Sequence, residues 1–361
     1  MANTSNFTED KNFFILNSMD DWVRIVNTNG KTIFINDVFK EACDMSSELK
    51  NYVDESTSFL LGDRNKAVRN TTMIEEKLID ERYFSIKSSP IYNGDEFLGI
   101  VEVYRDITRE SLMKIELFNN NRNMLDDVRF VKKIQSNILP KDKTYGKLIL
   151  KSKYIPSDEL SGDFFDLIKI EEGKYALYIA DIMGHGVKAS IMTMFIKVTM
   201  NAILDKHPDY SPSEILFKLR EKFAKLGMES SQYFTAWLGI FERDCLTFSN
   251  AGHNCPPLWY SKRNEDVTYL LASGRMISNL IEPDNYDEKT VKLENGDRLL
   301  LFSDGAIETK DEKRHEYGLE RLRGNFESFH DLEESYKDIK NFTWGKQEDD
   351  LSLVQIEYKE K

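Results

Sequence analysis

Apolar positions change their period along this chain, and each change marks a different kind of element. Over residues 22–35 and again over 83–104, apolar-rich runs flank an Asn-Gly pair, Asn29-Gly30 in the first and Asn93-Gly94 in the second. Such pairs tolerate the positive φ angles of a tight turn, so both stretches are predicted β-hairpins. Between them, residues 37–61 read as short helical pieces with Phe39, Cys43 and Leu49 as inward positions. Strands, then small helices, then strands predict an α+β domain with an antiparallel sheet, ending near residue 109.

From about residue 110 to 139 the period becomes helical. Leu117, Met124, Val131 and Ile138 recur every seven residues, and Val128 and Ile134 widen the stripe. Asn121 and Gln135 interrupt it, three residues before Met124 and Ile138, where a tight seam would take Leu. The pattern fits a dimer seam with polar breaks and equally an amphipathic helix packed on its own domain. Polar breaks suit a connector with two packings. Pro140 stops the helix, because it lacks an N–H and disfavours helical backbone at Leu139.

Beyond residue 141, strand-like runs at 148–155, 164–170, 175–182, 234–241, 298–302 and 351–358 alternate with two helices. One helix spans 184–205, after a glycine turn. The other opens on Ser211-Pro212-Ser213-Glu214, a capping box with proline in the first turn, and stops at Gly227.

Composition narrows the partners. At 361 residues with 40% hydrophobic content, the chain can fill two cores and a connector. A net charge of -13 opposes nucleic acid and anionic membranes, so neither is an expected partner. Cys43, Cys245 and Cys255 lack Cys-x-x-Cys spacing, which argues against a disulfide framework or a thiolate zinc site. Residues 1–10 are polar, unlike a signal peptide, and no apolar run approaches the roughly 18 residues of a membrane span. The expected location is the cytoplasm.

The candidate chemistry lies at strand ends. Asp163 and Asp166 stand beside a strand start, Asp181 and Asp304 close apolar strands, and Asp349 and Asp350 immediately precede the last strand. A carboxylate in such a place gains nothing from packing and must be solvated, protonated or neutralised. Taken singly, each also fits a turn former or helix cap. Converging, they would make a hard-oxygen site for Mg²⁺ or Mn²⁺; zinc is disfavoured because no His/Cys ligand spacing accompanies them. Two such ions about 3.5–4 Å apart would clamp a phosphoryl group for in-line attack.

Five ordered motifs carry a resemblance: Ser-Gly-Asp-Phe-Phe-Asp at 161–166, Ala-Asp-x-x-Gly-His-Gly at 180–186, Asn-Ala-Gly-His-Asn at 250–254, Ser-Asp-Gly-x-x-Glu at 303–308 and Asp-Asp-x-Ser-Leu-Val at 349–354. Their order resembles the catalytic domain of PPM-type phosphatases, SpoIIE/RsbU branch. The run Val131 to Pro140, VKKIQSNILP, is similar to the helix and Leu-Pro stop that precede that domain. The resemblance implies an α-β-β-α sandwich, two Mn²⁺ or Mg²⁺ ions, and hydrolysis of phosphoserine or phosphothreonine on a protein. The substrate class it implies is a phosphorylated STAS-domain anti-anti-sigma factor in a partner-switching stress or developmental pathway. It makes Asp181 the carboxylate shared by both ions, with the Ile182 carbonyl as a neighbouring ligand. Asp304 would bind one ion, and Asp163 rather than Asp166 would serve from the first motif. Asp349 is the last ligand, with Asp350 as the alternative. His185 and His253 are expected to shape tight turns rather than to act as general acids. The wider family's phosphate-binding arginine has no clear counterpart near Asp163, so protein docking is expected to supply specificity.

The N-terminal pattern WVRIVNTNGKTIFIND, then helices, then YFSIKSSPIYNGDEFLGIVEVYRDITRE resembles a PAS domain. No histidine precedes His185, which removes the usual haem ligand. Cys43 lacks the Asn-Cys-Arg context of flavin-adduct PAS domains and reads as a buried small hydrophobe. The expectation is therefore a PAS-like sensor (1–109), a helical linker (110–140) and a phosphatase domain (141–361), forming a homodimer. In it, the linker biases the 184–205 helix, whose start adjoins Asp181. The rival is a catalytically silent scaffold of the same fold that binds a phosphoprotein. A PAS-linked histidine kinase fails because the connector holds no histidine and no glycine-rich nucleotide loop follows. Neither Gly-x-Gly-x-x-Gly nor Gly-x-x-x-x-Gly-Lys occurs.

Overall fold

The computed structural model describes residues 13–55, 72–184, 186–227, 232–280, 285–345 and 347–360. The chain divides between residues 123 and 124 into two compact units.

The first unit runs α1 (Phe13–Asn17), β1 (Trp22–Asn27), β2 (Thr32–Ile35), α2 (Asp37–Met45), α3 (Ser47–Glu55), β3 (Met73–Ile79), β4 (Arg82–Asn93) and β5 (Glu96–Asp106). The strands form one antiparallel sheet in the order β2-β1-β5-β4-β3. Both Asn-Gly turns close hairpins, β1–β2 and β4–β5, as predicted. Asn36 caps α2, its Oδ1 accepting from the backbone N–H groups of Phe39 and Val23. Phe39, Cys43 and Leu49 point inward as expected, and the predicted helical stretch beyond residue 55 lies outside the described residues. Trp22 stacks on Phe39 with ring centroids 4.8 Å apart, and Phe84 and Tyr104 complete the cluster. On that same face of the sheet, Arg24 lies directly opposite Glu102 and both are buried. Glu102 accepts from Tyr104 Oη at 2.8 Å and pairs with Arg24 at 3.5 Å, so the buried charges are compensated.

Helix α4 (Thr108–Ile138) follows, close to the predicted bounds. On its seven-residue stripe, Leu117 and Met124 are exposed (62% and 64%), whereas Val131 and Ile138 are partly buried.

Among its described residues, the second unit contains two sheets. One has the order β15-β11-β10-β9-β8, from β8 (Asp163–Glu171), β9 (Lys174–Ile182), β10 (Tyr233–Glu242), β11 (Cys245–Ala251) and β15 (Glu288–Lys292), with β14 (Ile277–Ser278) also paired to β10. The other has the order β13-β12-β16-β17-β7-β6, from β6 (Lys143–Tyr145), β7 (Leu148–Ile155), β12 (Leu258–Ser261), β13 (Asp266–Tyr269), β16 (Arg298–Phe302) and β17 (Leu351–Tyr358). Alternating residues of both sheets, among them Phe165, Leu177 and Trp237 against Leu150, Leu301 and Ile356, form the layer between them. Helices α5 (Val187–Lys206) and α6 (Pro212–Ala224) cover the outer face of the first sheet, and α7 (Leu319–Phe329) and α8 (Leu332–Phe342) cover the second. The result is the α-β-β-α sandwich.

The Ser211 capping box and Pro212 start are as predicted. Two expectations need correction. Among the described residues the region holds four helices rather than two: α7 and α8 are short, Gly324 interrupts one and a left-handed His330 separates them, which weakens their pattern in the sequence. Helix α5 is also long and apolar enough by composition to cross a membrane, contrary to the expectation that no run was. Here it is a core helix, with Met192, Ile196, Met200 and Ile203 buried against the sheet.

Candidate active site

Strands of both sheets end at one place, and their terminal residues supply the carboxylates. Asp163 opens β8 and pairs in register with Asp181 near the end of β9. From the second sheet, Asp304 begins a 3-10 turn (Asp304–Ala306) directly after β16, and Asp349 and Asp350 precede β17. Serines tie these strand ends together, the first within the second sheet and the next across to the first sheet. Ser303 Oγ donates to the Asp350 carbonyl at 3.0 Å, and Ser352 Oγ donates to Asp163 Oδ2 at 2.8 Å.

Glycines permit the close approach. A Cβ on Gly162 would stand 2.7 Å from the Ile182 carbonyl oxygen and 2.8 Å from that of Gly184; one on Gly305 would collide with the Asp350 carbonyl. Backbone that must pass so near other backbone requires glycine.

The electrostatics show the carboxylates sharing one field. Burial pushes Asp163 well above the usual carboxylate range, and the Asp181 charge adds to the shift. Burial, then Asp304 and Asp349, raise Asp181 to about 7. Asp304 is raised by burial and by Asp349, and Glu308 by burial and by Asp304. Such mutual repulsion makes an oxygen-only donor set that favours binding hard cations. The cradle at Gly162, which a methyl group would fill, places the Ile182 carbonyl beside these carboxylates, and the set fits Mg²⁺ or Mn²⁺. Among the described residues, no three His, Cys, Asp or Glu side chains are grouped tightly enough to close on one ion.

The two candidates for the last ligand differ in their partners. Asp350 is buried: its Oδ1 accepts from the Ser157 N–H at 2.8 Å and from Ser157 Oγ, and its Oδ2 accepts from the Gly162 N–H at 2.8 Å. Asp349 is exposed. Asp166 turns away from the cluster and is ion-paired with Lys197 on α5. His185 lies outside the described residues. His253 is buried with its Nε2 3.2 Å from the Phe302 carbonyl, so Nε2 carries the proton and Nδ1 accepts from Thr235 Oγ1 at 3.3 Å. Burial lowers its pKa to about 4. It therefore links β10 to β16, two residues before Asp304, as a neutral bridge between the sheets.

Sequence reasoning missed Glu308 and the serines 161, 303 and 352. Glu308 closes the Ser-Asp-Gly-x-x-Glu motif and Ser352 lies within Asp-Asp-x-Ser, so position inside a motif was the available signal.

Comparison with known proteins places the chain in context. The model of the family described as Stage II sporulation protein E (SpoIIE) matches residues 171–359. "Phosphoserine phosphatase RsbU" of Bacillus subtilis (strain 168) is 24% identical over 286 residues, covering 73% of this chain and 80% of that protein. "Phosphoserine phosphatase RsbP" of the same organism is 27% identical over 191 residues, covering 52% of this chain and 46% of that protein. Among solved structures, the SiaA-PP2C domain of Pseudomonas aeruginosa superposes with a TM-score of 0.57 at 20% identity, covering 67% of this chain and 98% of that one, which is a likeness of fold.

Proposed function

Because this chain belongs to the Stage II sporulation protein E (SpoIIE) family, we propose that it is a divalent-metal-dependent protein serine/threonine phosphatase. One observation carries the reading: the Asp163, Asp181, Asp304 and Asp349 carboxylates share one field at the ends of strands from both sheets. The names of the relatives RsbU and RsbP, both phosphoserine phosphatases, support it. Asp163, Asp181, the Ile182 carbonyl, Asp304 and Asp349 are the oxygens assigned to hold Mn²⁺ or Mg²⁺. When bound, two such ions supply the charge that stabilises a phosphoryl group under in-line attack by water. Asp350 works through its backbone partners, fixing Ser157 and Gly162. The 3-10 turn at Asp304 and the Gly305 contact hold that carboxylate against the β17 edge.

The substrate class is a phosphorylated STAS-domain anti-anti-sigma factor in a partner-switching pathway. Residues 1–109 serve as a PAS-like sensor, 110–140 as a connector and 141–361 as the phosphatase. The antiparallel five-stranded sheet with helices between β2 and β3 supports the sensor assignment. Exposed Leu117 and Met124 support a homodimer along α4.

The experiment is Mn²⁺-dependent release of phosphate from a phosphoserine STAS-domain protein by the full chain, beside Asp304→Asn. Turnover lost on metal removal and in the variant is expected. No turnover with several such substrates would favour the silent scaffold.

A further inference from the structure

Residues 156–162 join β7 to β8 without helix or strand, yet Leu160, Ser161 and Gly162 are buried. The Gly162 carbonyl accepts from the Ile182 N–H at 3.2 Å, and other backbone polar groups of the segment need partners from side chains. Two side chains far apart in sequence provide them. From one side, Asp350 takes the N–H groups of Ser157 and Gly162. From the other comes Gln135, the polar residue that interrupts the apolar stripe of α4.

Gln135 is 4% exposed. Its Nε2 donates to the Ser161 carbonyl at 2.8 Å, and its Oε1 accepts from the Ser161 N–H at 3.3 Å. The amide thus satisfies both backbone groups of one residue, as a neighbouring strand would. Nε2 also lies 3.5 Å from Thr193 Oγ1 on α5. Ser161 passes the constraint on, its Oγ accepting from the Asp163 N–H at 3.0 Å. One turn earlier on α4, Lys132 pairs with Glu159 at 2.8 Å. The last turns of α4 are therefore fastened to the loop that delivers Gly162 and Asp163, and a hydrophobic residue at position 135 would leave the Ser161 N–H and C=O buried without partners.

We infer that Gln135 is a positioning residue for the metal site: through it, the end of α4 holds the 157–163 segment in the arrangement that binds divalent cations, and displacement of α4 by one hydrogen-bond length releases it. This gives the connector a route to the site through the β7–β8 loop, separate from the start of α5. The inference rests on the metal-binding reading of the aspartate cluster.

The test measures Mn²⁺ binding to the full chain by calorimetry, without substrate, in wild type, Gln135→Leu and the near-isosteric Gln135→Glu. Loss of a group that orients a ligand lowers metal affinity by about 10- to 100-fold, and that is expected for Gln135→Leu, with KM for phosphoprotein at saturating Mn²⁺ unchanged. In Gln135→Glu the deficit should shrink as pH falls, because a protonated carboxyl can again donate to the Ser161 carbonyl. Should Gln135→Leu prove unfolded, Gln135→Glu carries the test alone through that pH-dependent recovery. Affinities in the folded variants within twofold of a wild type that binds Mn²⁺ would overturn the role of Gln135 and leave the metal reading standing. A wild type that binds no Mn²⁺ would overturn both. Reduced Mn²⁺ affinity in the variants, with no phosphatase activity in any form, would support Gln135 while removing the proposed function.

Discussion

Asp163 and Asp181 face each other in register across the β8–β9 ladder, two carboxylates on directly paired positions. Like charges so placed destabilise a sheet, and here burial raises the cost. With no cation present, the native state responds by holding protons: burial and the Asp181 charge push Asp163 well above the usual carboxylate range, and burial, then Asp304 and Asp349, raise Asp181 to about 7 rather than 3.8. Between those values the folded chain binds a proton that the unfolded chain has lost. Stability contributed by this group is therefore greatest at low pH and falls as pH rises through 7.

Asp181→Asn should accordingly stabilise the metal-free protein at pH 8 while abolishing its response to Mn²⁺. A gain of about 1–3 kcal/mol is expected, about 2–4 °C in Tm per kcal/mol for a domain of this size. Scanning calorimetry in chelator at pH 8 and pH 5.5 checks the first part, and the same scans with Mn²⁺ in place of chelator check the second. A variant no more stable than wild type at pH 8 would mean that the carboxylate is not strained.

Metal affinity should follow the same proton. Below pH 7 a cation must displace it, so the apparent Mn²⁺ association constant should fall about tenfold per pH unit for each proton released. Titration calorimetry in buffers of different ionisation enthalpy counts that proton directly. A flat affinity between pH 6 and 8 would contradict the value for Asp181.

Gly162→Ala places a methyl group 2.7 Å from the Ile182 carbonyl oxygen. Relief requires backbone movement at the site itself. A stability loss of about 1–3 kcal/mol is expected, with Mn²⁺ affinity reduced more than chemical denaturation alone would suggest. Equal Mn²⁺ affinity would show that the loop can yield without disturbing the carboxylates.

His253→Ala leaves the Phe302 carbonyl without its ring partner and removes the acceptor for Thr235. The cost should be about 1–3 kcal/mol for the buried polar group stranded. Because the ring is neutral well above pH 4, the activity profile near neutrality should keep its shape in the variant. A lost limb of that profile would instead indicate that His253 transfers protons.

The elements and the carboxylates were legible in the sequence to different degrees. Period and turn chemistry marked β7, β16 and β17 to the residue, since apolar alternation and flanking polar residues agree there. Helices α7 and α8 were not legible, because their short amphipathic runs derive stability from the sheet they cover rather than from propensity. Asp349 and Asp350 were indistinguishable as neighbours in sequence. What separates them is that Asp350 is engaged by Ser157 and Gly162, nearly two hundred residues earlier. Gln135 read as a flaw in a seam for the same reason: a local pattern contains no record of the loop that returns to meet it.

Strand β17 lies between β16 and β7 in its sheet, so the strand latest in sequence among those described fills a central position. Until the ribosome has delivered it, β7 has only β6 as a neighbour and Asp163 lacks Ser352. Pairings of such long sequence separation form slowly. A nascent chain therefore has no assembled centre until β17 has emerged and paired.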